Sequence, residues 1–130
     1  MFMKKASCSC GSLWAKVSGE MIRHSLCNCL ACQKRTGTVF GTQARFHAKD
    51  VRTGGDFTVY TRAGDEGHLA DFHFCPSCGS TVYYTFRDDP DVIAIPTGAF
   101  ADPQFGTPQI CVYENRKHPW VKLPEDMKKE

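Results

Sequence analysis

The chain has 130 residues, 42% of them hydrophobic, which is enough to bury one core and too few for two ordinary domains. Sixteen Lys and Arg against 14 Asp and Glu leave a formal charge of +2, without the dense basic stripe typical of a nucleic-acid binder. Nine Phe, four Tyr and two Trp exclude disorder over most of the chain, and no segment has the apolar length of a signal peptide or a membrane span, so a cytoplasmic protein is expected.

Leu13, Ala15 and Val17 alternate with Trp14, Lys16 and Ser18, the period-2 pattern of a two-faced strand, and Gly19-Glu20 closes it as a turn. Three Cys follow between Cys27 and Cys32, with one helical turn expected over Ala31 to Arg35. Phe40, Thr42, Ala44 and Phe46 alternate again, and Gly54-Gly55-Asp56 supplies turn chemistry before the β-formers of Phe57 to Thr61. A second turn is expected at Ala63-Gly64-Asp65-Glu66-Gly67. Ala70, Phe72 and Phe74 run into a cysteine pair, and Val82, Tyr84 and Phe86 alternate after it. Asp88-Asp89-Pro90-Asp91 breaks the pattern, Val92 to Ile95 reads as a buried strand, and Ile110 to Tyr113 as a last weak one. Many short strands punctuated by Gly, Pro and Asp predict a mostly β domain with few short helical turns, its core at about 7–124 and a polar, frayed tail at 125–130.

Seven of the eight cysteines fall into three close sets, and in a reducing compartment such clustering points to metal or catalysis rather than disulfides. In the extended pair Cys8-Ser9-Cys10 both sulfurs project to one side. In Cys75-Pro76-Ser77-Cys78-Gly79 the glycine permits the tight backbone of a metal knuckle. Two plus two makes the closed tetrahedral set of structural zinc. Zinc fingers and ribbons place their ligand pairs ~15–20 residues apart, whereas Cys10 and Cys75 lie far apart in the chain, so a metal shared between them would tie distant strands together. Cys27, Cys29 and Cys32 offer three thiolates, the pattern of a catalytic zinc with an open fourth position. Spacing alone leaves a closed alternative, because Cys111, His24, His68, His73 or His118 can fold inward as a fourth ligand. Taken singly, Cys111 reads as a small buried hydrophobe and each histidine as a surface or satisfied residue.

The order Cys8-Ser9-Cys10-Gly11, then Cys27-Asn28-Cys29-Leu30-Ala31-Cys32 followed by Gln33-Lys34-Arg35-Thr36-Gly37, then Phe74-Cys75-Pro76-Ser77-Cys78-Gly79-Ser80 resembles the glutathione-dependent formaldehyde-activating enzyme family, a group that includes centromere protein V. The likeness runs from about Ser7 to Pro124 and takes in Ile95-Pro96-Thr97-Gly98-Ala99-Phe100 and His118-Pro119-Trp120-Val121. It implies a β-tent fold of antiparallel sheets pinned by zinc, two Zn2+ per chain, and a soluble thiol partner such as glutathione, with no nucleic acid and no membrane. By motif position Cys8, Cys10, Cys75 and Cys78 hold the structural ion, and Cys27, Cys29 and Cys32 the catalytic one. The implied activity is that of a carbon–sulfur lyase forming or cleaving S-hydroxymethylglutathione. Lys34 and Arg35 can meet the carboxylates of glutathione, or serve only as a solvated basic pair, and no carboxylate or histidine is marked as proton donor. A non-catalytic binding or scaffold module, or a thiol or redox sensor on the same fold, is the alternative.

Overall fold

The computed structural model describes residues 3–64 and 66–130; Met1, Phe2 and Asp65, the last in the turn expected at 63–67, lie outside the described residues. The Gly67 amide donates to the Gly64 carbonyl at 2.9 Å.

The chain is mostly β and forms two sheets. The smaller one contains β1 (Met3–Ser7), β2 (Trp14–Ser18) and β5 (Val51–Gly54), all antiparallel with β2 central. The larger one has eight strands. Its central run is antiparallel: β3 (Met21–Cys27), β4 (Gly41–His47), β9 (Asp89–Pro96), β8 (Thr81–Phe86), β7 (Leu69–Phe74) and β6 (Thr58–Ala63) are neighbours in that order. Beyond β3, β10 (Ile110–Val112) and β11 (Lys128–Lys129) add parallel pairings. The helix α1 (Leu30–Thr36) follows β3 directly.

Period-2 alternation decides which face each strand buries. Ala15 and Val17 of β2 and Ala44 and Phe46 of β4 turn inward between the sheets, joined by Ala6, Leu13, Val82, Tyr83 and Ile95 in one apolar cluster. The opposite face of the large sheet carries a second layer, Phe72, Tyr84 and Ala94 with Ala70 and Phe86 against them. Strand β8 contributes to both, and a bulge near its start puts two consecutive residues, Val82 and Tyr83, into the cluster between the sheets. Thr81 pairs with Phe74 and Tyr83 with His73, so Val82 is the extra residue and the alternation changes phase there. The sequence pattern Val82, Tyr84, Phe86 therefore does not describe one face: Val82 points to the core between the sheets, and Tyr84 and Phe86 to the layer behind.

Two further expectations are corrected. Asp89-Pro90-Asp91 lies inside β9 rather than interrupting it, which the fold tolerates because Pro90 has no partner in either neighbouring ladder. Residues 125–130 are not a frayed tail. Met127 is buried against Leu26 and Cys111, the Lys128 and Glu130 amides donate to the Gln109 and Cys111 carbonyls, and Glu130 pairs with Arg23 at 3.2 Å. One apolar residue in a polar sextet was enough to anchor it.

The end of β5 closes on the loop between β1 and β2. Gly55 has φ +95°, and a Cβ there would lie 1.9 Å from the Ser12 carbonyl oxygen. Gly55→Ala is expected to lower the unfolding free energy by more than about 2 kcal/mol, measured by urea denaturation. Gly67→Ala, where φ is +84° but no atom stands within 4 Å, should cost only about 1 kcal/mol.

Candidate functional site

Turns from both sheets bring four sulfurs together. Cys8 and Cys10 sit in the loop between β1 and β2, Cys75 and Cys78 in the turn between β7 and β8, and all four Sγ atoms lie within 4.8 Å of one another. Cys8 to Cys10 and Cys10 to Cys75 are each 3.6 Å. Four thiolates ~2.3 Å from a tetrahedral centre stand about 3.8 Å apart, so the spacing fits one zinc-sized ion. The local backbone favours thiolates: the Leu13 amide donates to Cys8 Sγ at 3.3 Å and the Ser77 amide to Cys75 Sγ at 3.4 Å. The Ser12 hydroxyl beside Cys75 Sγ at 3.4 Å, helped by the Cys78 amide, brings that thiol down to about 7. The Ser80 amide, with the Cys10 amide, brings Cys78 down to about 5. Ser9 and Ser80 hydroxyls, 3.0 Å apart, link the two turns directly. Ser12 and these amides were invisible as ligand support in the sequence, where only Gly79 after Cys78 hinted at tight backbone.

The second cluster is Cys27, at the end of β3, with Cys29 and Cys32, their sulfurs also within 4.8 Å of one another. Cys29 caps α1, its sulfur accepting from the Cys32 amide at 3.2 Å, and Gly37, left-handed at φ 72°, ends the helix. Seven residues of helix therefore suffice to fold Cys32 back beside Cys27. The loop is braced from below: buried Asn28 donates through Nδ2 to Cys111 Sγ and to the Val112 carbonyl, both at 3.1 Å, and Gln33 Nε2 donates to the Asn28 carbonyl at 2.8 Å. A hydrogen bond between the Cys27 and Cys32 thiols draws Cys32 down to about 5 and pushes Cys27 up, and the Arg35 and Arg62 charges help to lower Cys32.

None of the five candidates for a fourth ligand joins this cluster among the described residues. Cys111 is fully buried and engaged with Asn28. His24 is hydrogen-bonded to the Thr97 hydroxyl at 3.0 Å, His68 to Asp88, and His118 to Gln33 Oε1 at 3.0 Å, while His73 stacks on Tyr83 with centroids 4.4 Å apart. Cluster two thus offers three protein sulfurs.

All three of these cysteines face a cavity of about 490 Å³ on the face of the large sheet away from the small one. Its floor is the aromatic layer of Phe72, Tyr84 and Phe86, and its walls carry five arginines, at positions 23, 35, 45, 62 and 116. The Tyr84 hydroxyl donates to Gln43 Oε1 at 2.9 Å, and burial pushes its pKa up, so it keeps its proton. Arg35 enters this pocket as the sequence allowed, whereas Lys34 does not line it.

The family model for the glutathione-dependent formaldehyde-activating enzyme matches residues 3–116. The chain belongs to that family. Among solved structures, a Rhodobacter sphaeroides protein is similar with 22% identity and a TM-score of 0.56, over 73% of this chain and 85% of that one; at this identity the likeness speaks to the fold. No curated protein matches the chain. No helix of the described residues is long and apolar enough to cross a membrane.

The two clusters should respond differently to loss of a thiol. Cys75→Ser is expected to give insoluble or unfolded protein, because a metal held by the four sulfurs would link the sheets with an energy on the order of the whole net stability of a domain, while Cys29→Ser should stay folded with less metal than the wild type. Circular dichroism with metal analysis reads both. Acid should separate them too. Metal binding needs thiolates and protons compete for them, so zinc leaves as pH falls. The three-sulfur cluster, with one ligand fewer, should empty first, at a higher pH than the four-sulfur cluster, as followed with a chromogenic chelator.

Proposed function

We propose that this protein is a zinc-dependent carbon–sulfur lyase-like enzyme that joins glutathione to formaldehyde, and cleaves the adduct in reverse, at the Cys27, Cys29 and Cys32 cluster, with Cys8, Cys10, Cys75 and Cys78 serving a structural zinc. The observation that carries this reading is a three-sulfur cluster with no fourth protein ligand among the described residues, facing a cavity large enough for a tripeptide-sized thiol. A zinc ion there supplies Lewis acidity that favours the thiolate form of an incoming thiol.

The protein's own groups bind and orient. In the addition the thiol gives up its proton, a sulfur lone pair forms the C–S bond, the carbonyl π pair moves to oxygen, and that oxygen takes a proton. Nothing is oxidised and no group leaves, so the enzyme's task is placement and charge stabilisation. Guanidinium groups on the wall supply donors for an oxyanion and for substrate carboxylates. Tyr84, whose one proton is held by Gln43, acts as part of the floor rather than as the acid. No carboxylate or histidine is among the described lining residues, which leaves solvent and the Tyr113 phenol as sources of the proton. The aromatic floor excludes water from below, while the cavity mouth leaves room for formaldehyde to enter beside a bound thiol.

Glutathione titrated into cobalt-substituted protein is expected to change the sulfur-to-cobalt charge-transfer band, and glutathione with formaldehyde to give the adduct faster than in buffer. Cys29→Ser should return that rate to the uncatalysed level. An unaltered band with every thiol tried would turn the reading toward a binding or scaffold module.

A further inference from the structure

The cavity beside the three cysteines is more cationic than thiol activation by itself requires. Arg23 and Arg45 stand directly opposite one another on β3 and β4. Like charges in that position oppose strand pairing, and burial together with Arg23 weakens the hold of Arg45 on its proton. Arg23 finds Glu130 at 3.2 Å, but Arg35, Arg45 and Arg62 form no ion pair among the described residues. Instead these three lie against aromatic rings: Arg35 is 5.2 Å from the Phe72 centroid and 5.3 Å from that of Tyr84, Arg62 is 4.7 Å from Phe72, and Arg45 is 4.7 Å from Phe86. Stacking of this kind fixes a guanidinium plane while leaving its edge free to donate. The Nε atoms of Arg23, Arg35 and Arg45 are moreover buried without a hydrogen-bond partner. The described lining of the cavity contains no carboxylate to neutralise these groups. Arginines that merely aid solubility would not be stacked on rings and gathered around one cavity.

We propose that this cavity selects a thiol carrying two acidic groups and makes no use of a substrate ammonium, with Arg45 and Arg62 as specificity-determining residues and Arg35 completing the grip between them. Bidentate pairing of carboxylates to the guanidinium edges that face the cavity offsets the Arg23–Arg45 repulsion. The same wall has no described carboxylate to receive an amino group, so the ammonium of a peptide thiol stays in solvent and contributes nothing to binding. The inference rests on the thiol-addition reading for the position of the sulfur; the anion grip has its own readout.

Three probes separate the two. On the cobalt-substituted protein, mercaptosuccinate, with two carboxylates and no ammonium, is expected to alter the charge-transfer band at a concentration about tenfold or more below that needed for uncharged 2-mercaptoethanol. It should act at least as well as glutathione. Arg45→Gln and Arg62→Gln should each remove most of that advantage while leaving 2-mercaptoethanol unchanged. Succinate, which has no thiol, should raise the melting temperature of the zinc-loaded wild type and not of the variants. Should Arg45→Gln fail to fold by circular dichroism, Arg62→Gln on the edge strand carries the test. Equal response to charged and uncharged thiols, or an advantage for mercaptosuccinate that survives in the folded variants, would overturn the proposal and leave thiol addition standing. Stabilisation by succinate, lost in the variants, with no thiol altering the cobalt band, would keep the anion grip and sink the thiol reading instead.

Discussion

Four thiols arriving from turns of two different sheets are the constraint on which the remainder of this structure depends. Cys8 and Cys10 belong to the small sheet, Cys75 and Cys78 to the large one, and their sulfurs meet at separations as short as 3.6 Å. Deprotonated sulfurs cannot share so small a volume without a cation between them, so the geometry is itself an argument for a metal. The sheets also meet through an apolar cluster in which Leu13, Val17, Phe46, Val82, Tyr83, Ile95 and Phe100 are buried beside Ala6, Ala15 and Ala44. A metal held by the four sulfurs would add a link across that junction.

The knuckle at Cys75 has a second effect. It joins β7 to β8, and next to it the extra residue Val82 changes the phase of β8. The bulge lets Val82 join Tyr83 between the sheets, while Tyr84 and Phe86 form the floor of the cavity.

What the sequence made legible was whatever depends on near neighbours. The cysteine sets, the helical turn after Cys29, and the alternating segments in β2, β4, β7 and most of β8 could all be read from local spacing. β1 and β3 could not, because Met3–Ser7 and Met21–Cys27 mix charged and apolar residues without clean alternation; β3 carries Arg23 and Cys27 toward the cavity and buries His24 and Ser25 as well. The pocket was almost wholly illegible. Arg23, Arg35, Arg45 and Arg62 come from β3, α1, β4 and β6, and only the sheet order brings them to one wall. Arg35 could be suspected because it follows Cys32 by three residues; the others carry no local signal. Whether Cys27, Cys29 and Cys32 were open or closed likewise turned on where four histidines and Cys111 went in three dimensions.

The brace beneath the second cluster ties the site to the order in which the chain is made. Asn28 reaches Cys111 and Val112, and β10 pairs with β3 in parallel, so one edge of β3 and the underside of the thiol loop wait for residues more than 80 positions later. The four-sulfur cluster draws on nothing beyond Ser80, whose amide and hydroxyl support it. On the ribosome every residue of that cluster therefore emerges before β10, while the brace of the thiol loop arrives with residues 111 and 112. The two cysteine clusters are thus completed at different points of the growing chain, the four-sulfur set first.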